Sequence, residues 1–263
     1  MDQDAKRVFK RVVIALVYLL IIGGIGFIIY IFRQPPAPSC FDKIQNQGET
    51  GVDCGGNCKT CEQKKPLEVF EKKFFPTTTG NVDLFAEVKN INLAFGVGAL
   101  RYTFDLYDRD GVFLATRSGV TYILPDSTKF IVEHNLPVPK TPERVEFNFE
   151  LPDFKEVRDY VKPRLTIIGL QTRPLDEREG GFAAVRGNVL NQTDTSFDKV
   201  AVAVRLKNQA GQTVAVTSHE VRTLVPNENR FFEVKWTYRL PDFTTPEFQV
   251  DTNIFEESNS LTF

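Results

Sequence analysis

The chain has 263 residues, with 32 Lys and Arg against 34 Asp and Glu, a formal net charge of −2. That balance excludes the basic excess on which nucleic-acid binding depends. Two histidines leave little material for histidine-based catalysis, while 23 phenylalanines against one methionine and one tryptophan predict cores built from Phe, Val and Leu.

The first element runs from Val12 to Phe32 without a charge or a proline. These ~21 residues span roughly 31 Å as a helix, which matches the hydrocarbon thickness of a bilayer. A cleaved signal peptide would have a shorter apolar region followed by a small-residue cleavage site. Here Arg33-Gln34-Pro35-Pro36 follows instead, so the run reads as an uncleaved transmembrane helix at 12–32. Lys6, Arg7, Lys10 and Arg11 precede it, and only Arg33 follows it closely. The positive-inside rule then predicts a cytoplasmic tail at 1–11 and an extracytoplasmic remainder. Gly23-Gly24-x-Gly26 within the helix could allow close packing against a second helix, although glycines are common in membrane spans.

Residues 33–65 read as a proline-rich stem and a cysteine-rich segment. The spacing Cys40-x13-Cys54-x3-Cys58-x2-Cys61 contains every cysteine of the chain. Zinc sites favour two close pairs with Cys or His, and His134 and His219 are distant in sequence. A redox reading of Cys58-Lys-Thr-Cys61 needs a βαβ context that is absent. Outside a membrane, four cysteines in a short loop read as two disulfides, for which three pairings are open. Between them lie Asp42, Asn46, Glu49 and Asp53 among several glycines. Oxygen donors in such a loop suit calcium; the alternative is a solvated acidic loop with tight turns. The EF-hand spacing is missing. Pro35-Pro36-Ala37-Pro38 favours an extended, semi-rigid stem.

This stretch resembles a short motif of prokaryotic surface proteins, C-x-D-x3-N-x2-E-T-x-x-D-C-G-G-x-C-x-x-C. It is matched by Cys40, Asp42, Asn46, Glu49, Thr50, Asp53, Cys54, Gly55, Gly56, Cys58 and Cys61. The resemblance implies export to the cell envelope and no activity.

Beyond residue 65 the pattern changes to the alternation of half-buried strands. Leu100, Tyr102, Phe104 and Leu106 share one face of a strand, with Arg101, Thr103 and Asp105 on the other. One hundred residues later Val200, Val202, Val204 and Leu206 do the same, with Arg205 and Lys207 opposite. Each strand ends in a glycine turn, at Asp110-Gly111 and Ala210-Gly211. Phe85–Lys89 matches Phe182–Arg186, Leu124-Pro125 matches Val225-Pro226, and Val145, Phe147 and Phe149 match Pro246, Phe248 and Val250. The sequence therefore predicts an internal duplication: one β-sandwich at 66–155, a linker at 156–162 and a second at 163–263. Val234, Trp236, Tyr238 and Leu240 should fill the second core.

Phe104-Asp105-Leu106-Tyr107-Asp108 spells the signature of the FxLYD family. The first copy resembles that family of immunoglobulin-like sandwiches, common in prokaryotic envelope proteins and similar in shape to late-embryogenesis-abundant domains. The second copy departs from the signature, with Val204, Leu206, Lys207 and Asn208 at the corresponding places. It reads as a degenerate repeat, to which no function of Tyr107 or Asp108 would carry over. The predicted fold is thus all-β: two tandem Ig-like, FxLYD-like sandwiches behind a transmembrane helix and a small disulfide-rich segment.

No catalytic motif appears. There is no G-x-S-x-G elbow, H-E-x-x-H or phosphate loop. Gly96-Val97-Gly98 reads as a turn or bulge, Asp176-Glu177-Arg178-Glu179 as a solvated loop, and the sequon Asn191-Gln192-Thr193 as a turn. The expectation is a non-catalytic membrane-anchored interaction protein of the prokaryotic envelope. It has no organic cofactor, and its partner would be another envelope protein or a surface polymer. The alternative is a structural spacer or a subunit of a membrane-bound secretion or pilus-type assembly.

Overall fold

The computed structural model describes residues 3–33, 39–46, 48–59, 61, 63–77, 80–157, 160–244 and 246–261. The stem Pro35-Pro36-Ala37-Pro38 lies outside them. The chain divides into two compact units, Met1–Gln63 and Lys64–Phe263.

The first unit opens with helix α1, Gln3–Arg33. It begins well before Val12, so most of the expected tail at 1–11 is helical. The reason is local: residues 3–11 contain neither glycine nor proline, and a helix already nucleated by the apolar run propagates through them. Its apolar window, Phe9–Tyr30, is long and apolar enough to cross a membrane, and none of it is buried.

The second unit is all-β and antiparallel. Strands β1 (Glu68–Pro76), β2 (Asn81–Asn90) and β5 (Ser127–Pro137) form one sheet in the order β1-β2-β5. Strands β4 (Phe113–Ile123), β3 (Phe95–Tyr107) and β6 (Arg144–Phe149) form another in the order β4-β3-β6, with β7 (Phe154–Glu156) added to β3. Glu156 therefore belongs to a strand and not to the expected linker. The second repeat copies this plan. Strands β8 (Leu165–Pro174), β9 (Ala183–Asn191) and β12 (Asn229–Trp236) pair as β12-β9-β8. Strands β11 (Thr213–Leu224), β10 (Ser196–Lys207) and β13 (Pro246–Asp251) pair as β11-β10-β13, with β14 (Ser260–Leu261) on β10.

Each repeat encloses its own core between its two sheets, as a sandwich does. Leu100, Tyr102, Phe104 and Leu106 are buried against Val82, Leu84, Ala86 and Val88 in the first. Val200, Val202, Val204 and Leu206 are buried with Val185, Val189, Phe232 and Trp236 in the second. The partners of β3 and β10 agree residue by residue: Leu106, Phe104 and Tyr102 lie opposite Val145, Phe147 and Phe149, and Leu206, Val204 and Val202 opposite Pro246, Phe248 and Val250.

Elsewhere the repeat needs a shift. Phe85 does not correspond to Phe182. Pairing equates Val82, Leu84, Ala86 and Val88 with Ala183, Val185, Gly187 and Val189, four residues further on. Phe85 points away from its own core, so its phase misleads the alignment.

Two polar devices recur in both repeats. Asn90, fully buried at the end of β2, donates its amide to the carbonyls of Phe95 (2.6 Å) and Leu124 (2.9 Å) and accepts from Asn92 N–H (3.0 Å). Asn191 does the same at the end of β9, with Thr195 (2.8 Å), Leu224 (3.2 Å) and Thr193 N–H (3.0 Å). Burial also removes Asn191 from the reach of glycosylation in the folded state. The second device closes the β3–β4 and β10–β11 turns. Asp108 Oδ1 accepts from Val112 N–H (2.8 Å), and Asn208 Oδ1 accepts from Gln212 N–H (3.0 Å). Asp108 and Asn208 thus play the same mechanical part in the two copies.

Removing either buried amide leaves carbonyls without a donor. Asn90→Ala and Asn191→Ala should each cost about 2–4 kcal/mol in denaturant titration. Asp108→Asn should keep the turn, whereas Asp108→Ala should lower the melting temperature.

Candidate functional site

In the cysteine-rich segment the pairs are Cys40–Cys58 and Cys54–Cys61, with no free thiol. Gly55 and Gly56 are required where they stand. Both have positive φ, and a Cβ would lie 2.0 Å from Thr50 Oγ1 at the first and 2.4 Å from the Gly48 carbonyl at the second. Glu49 is the buried hub: its Oε2 accepts from Asn46 N–H (3.2 Å) and Asp53 N–H (3.1 Å). Asp42 accepts from the Asn46 amide (2.8 Å), Ser39 N–H (3.1 Å) and Ile44 N–H (2.9 Å), and these bonds hold its carboxyl below the ordinary range. Asp53 accepts from Lys43 N–H at 2.9 Å. The predicted calcium residues therefore share one loop, in which Asp42, Glu49 and Asp53 each accept from backbone N–H groups. Glu49 does lie within 4.8 Å of the Cys40 and Cys58 sulfurs, yet those sulfurs are bonded to each other and offer no thiolate.

A dense polar arrangement lies where the two repeats meet. The sheet β11-β10-β13 turns its outer face onto the first repeat. Arg205, 8% exposed, donates to Glu87 (2.6 Å) and Glu247 (2.7 Å), has Glu71 at 3.5 Å, and lays its guanidinium 4.5 Å from the Phe130 ring centre. Burial alone would lower its proton affinity, but the hydrogen bonds to Glu87 and Glu247 outweigh it and raise the pKa. Around it Phe75, Phe85 and Val216 form a small apolar cluster with Phe130 and Val132. A second ion pair, Lys129–Asp251 at 2.7 Å, is buried on both sides. Tyr122 donates to the same Asp251 oxygen at 2.6 Å, and its ring lies 3.7 Å under the Lys129 ammonium. Burial, then the Asp251 charge, pushes the Tyr122 hydroxyl far above its usual range.

Strand β5 is the edge of its sheet, and this junction covers it. Gln249 accepts from Phe130 N–H (2.6 Å) and donates to the Thr128 carbonyl, reproducing a ladder rung with one side chain. At the other end Phe255 lies across Gly96 and Gly98, where a Cβ would come within 2.5 Å and 2.7 Å of its ring and its own Cβ. The register shifts between Val97 and Leu100, within strand β3, where the sequence left a turn or a bulge open.

The two histidines lie on strands β5 and β11. His134 Nε2 meets Ser218 Oγ at 2.9 Å, and Asp83 stands on its other side at 3.7 Å, in the order of a hydrolytic triad. That separation is too long to orient an imidazole, and Asp83 is already bonded to Asn135 N–H (2.9 Å) and the Tyr238 hydroxyl (3.1 Å). Ser218 sits within a regular strand and not on a raised turn. His219 stacks on Phe232.

The chain matches no protein-family model, and no curated protein matches it. The FxLYD letters take structural places: Phe104 and Leu106 in the core, Asp108 in the turn, and Tyr107 outward beneath the Arg144 guanidinium at 4.4 Å.

None of the junction residues stood out in the sequence as a site. Their signal was a strand, β2, apolar on one phase and still carrying Phe85 on the other. Removing Arg205 would leave Glu71, Glu87 and Glu247 facing one another around Phe130. Arg205→Ala should cost about 2–4 kcal/mol, discounted for the partial exposure of the carboxylates. It should also separate the unfolding seen by Trp236 fluorescence, a probe of the second repeat, from that seen by far-ultraviolet dichroism. Glu247 adds a pH dependence. Burial opposes its charge, but Lys207 and Arg205 hold its pKa below the ordinary 4.5. A depressed carboxylate stabilises the fold above 4.5 and loses that contribution as pH falls through its folded value. Melting temperature should therefore fall in acid below that point, and less steeply in Arg205→Ala.

Proposed function

We propose that the chain is a single-pass membrane protein of the prokaryotic cell envelope, N-terminus in the cytoplasm and everything beyond Arg33 outside. Its β unit serves as a non-catalytic interaction module for another envelope protein or a surface polymer. The observation that carries this reading is the succession of an exposed apolar helix and a segment closed by two disulfides. Disulfides persist in oxidising compartments, and the four basic residues before the helix favour the same orientation. The resemblances to the surface-protein cysteine motif and to FxLYD domains point the same way.

Topology is testable by cysteine labelling in intact cells. A cysteine at Arg109 should react with an impermeant maleimide, and one at Ala5 only after lysis; the reverse pattern would sink the orientation. Mild reduction should open the 39–61 segment and leave the Trp236 unfolding transition in place, because no cysteine lies beyond Cys61.

A second reading is a structural spacer or a subunit of a larger membrane assembly, and the Gly23-Gly24-x-Gly26 run within helix α1 supports it, because small residues let helices approach closely. Leucine at these three positions should then reduce co-purification of the assembly.

A further inference from the structure

The contact between the repeats is heterologous: the outer face of β11-β10-β13 in the second repeat covers the outer face of β1-β2-β5 and the adjoining β4–β5 edge of the first. Because both repeats have the same topology, each also carries a surface at the place its sibling uses. The first repeat presents a β4-β3-β6 face, and the second presents the outer face of β8-β9-β12 with its β11–β12 edge. We infer that these two surfaces bind each other between molecules, so that the partner of this protein is a second copy of the same chain.

The pairing registers fix which residues correspond. Phe130 lies opposite Glu87, and Phe231 lies opposite the equivalent Asn188. Phe130 is the ring under Arg205; Phe231 is 58% exposed on edge strand β12. Gln249, which caps the β5 edge and is half-buried, lies opposite Ala203; its counterpart opposite Thr103 is Asn148, also a carboxamide, and exposed. Asp251 and Lys129 form the buried ion pair, and their counterparts are Glu150 and Arg230, with the same signs. Aromatic ring, amide cap and ion pair are thus all present on the unused surfaces.

Where the chemistry changes, it changes on both sides. Arg205, 6.0 Å from the Phe85 ring centre, is replaced by Asp105, and Phe85 by Arg186. A cation beside an aromatic ring becomes an anion facing a cation. Arg101 and Thr103 stand where Ala201 and Ala203 lie flat, which makes the contact between chains looser than the one within a chain. Such a contact suits molecules concentrated on one membrane. A heterologous contact repeated from chain to chain closes into a ring or extends as a filament.

The test uses the full chain in its membrane, with the photo-reactive residue p-benzoylphenylalanine in place of Phe231. Illumination should give a ladder of chain multiples, with adducts mapping to the β3–β6 face around Thr103 and Asn148 of a second chain. Asp105→Arg or Arg186→Asp alone should reduce the ladder about tenfold, since like charges oppose the contact, and the two together in one chain should restore it. All three variants lie at the surface, and unchanged far-ultraviolet dichroism and melting temperature, with unchanged Trp236 fluorescence for the second repeat, check their fold. The inference is overturned by the absence of chain-to-chain adducts, by adducts to another protein or to another surface, or by a double variant that stays as weak as the singles.

Discussion

The arrangement of the β unit depends on one buried cation. Arg205 projects from β10 near its C-terminal end, and its guanidinium is shared between Glu87 of the first repeat and Glu247 of the second, over the face of Phe130. A charge taken from water is stable only where geometry supplies partners for its donors. Those partners come from β2, β13 and β5, so satisfying Arg205 fixes the second repeat against the first. A non-polar contact of the same size would allow sliding; a planar fork held by two carboxylates does not. Gln249 adds direction, because its amide fits only where the β5 backbone offers one N–H and one C=O at the right spacing.

The same contact solves a hazard of the fold. Open three-stranded sheets have unpaired edges that recruit other strands. In the first repeat the β5 edge is covered by the outer face of the second. In the second repeat nothing among the described residues of the Lys64–Phe263 unit covers the equivalent edge β12 in that way, and Phe231 is left outward upon it. Duplication of a domain followed by heterologous packing always produces this asymmetry: one edge is closed, and one is left over.

Much of this was legible in the sequence. Period-two alternation located the core strands, and the hundred-residue offset between the strand carrying Leu100 to Leu106 and the strand carrying Val200 to Leu206 revealed the duplication. Both follow from burial on one face, which alternation reports directly. The disulfide-closed segment was visible from cysteine spacing, but its pairing was not, because four cysteines in a flexible loop allow three closures. The junction stayed hidden for a different reason. A charged residue on the outward phase of a strand, such as Arg205 or Asp251, reads as solvated; only a neighbouring surface distant in sequence makes it buried. The buried amides Asn90 and Asn191 escaped for the same cause, since an asparagine at a strand end looks like a turn until the carbonyls around it are known.

The divergence between the copies follows the same division. On the inward phase of β3 and β10 every position stays apolar, because each repeat must still fill a core. On the outward phase every position differs: Arg101 against Ala201, Thr103 against Ala203, Asp105 against Arg205, Tyr107 against Lys207. The small residues of the second copy let the first repeat approach, and Lys207 pairs with Glu247 at 2.9 Å beside Arg205. Asp108 and Asn208, which close the turn, differ only by the exchange of a carboxylate for an amide with the same acceptor. The letters of the FxLYD signature therefore separate into two kinds. Phe, Leu and Asp maintain the sandwich and persist as Val, Leu and Asn. Tyr107 belongs to the outward face, and it was free to change once the two faces had different neighbours.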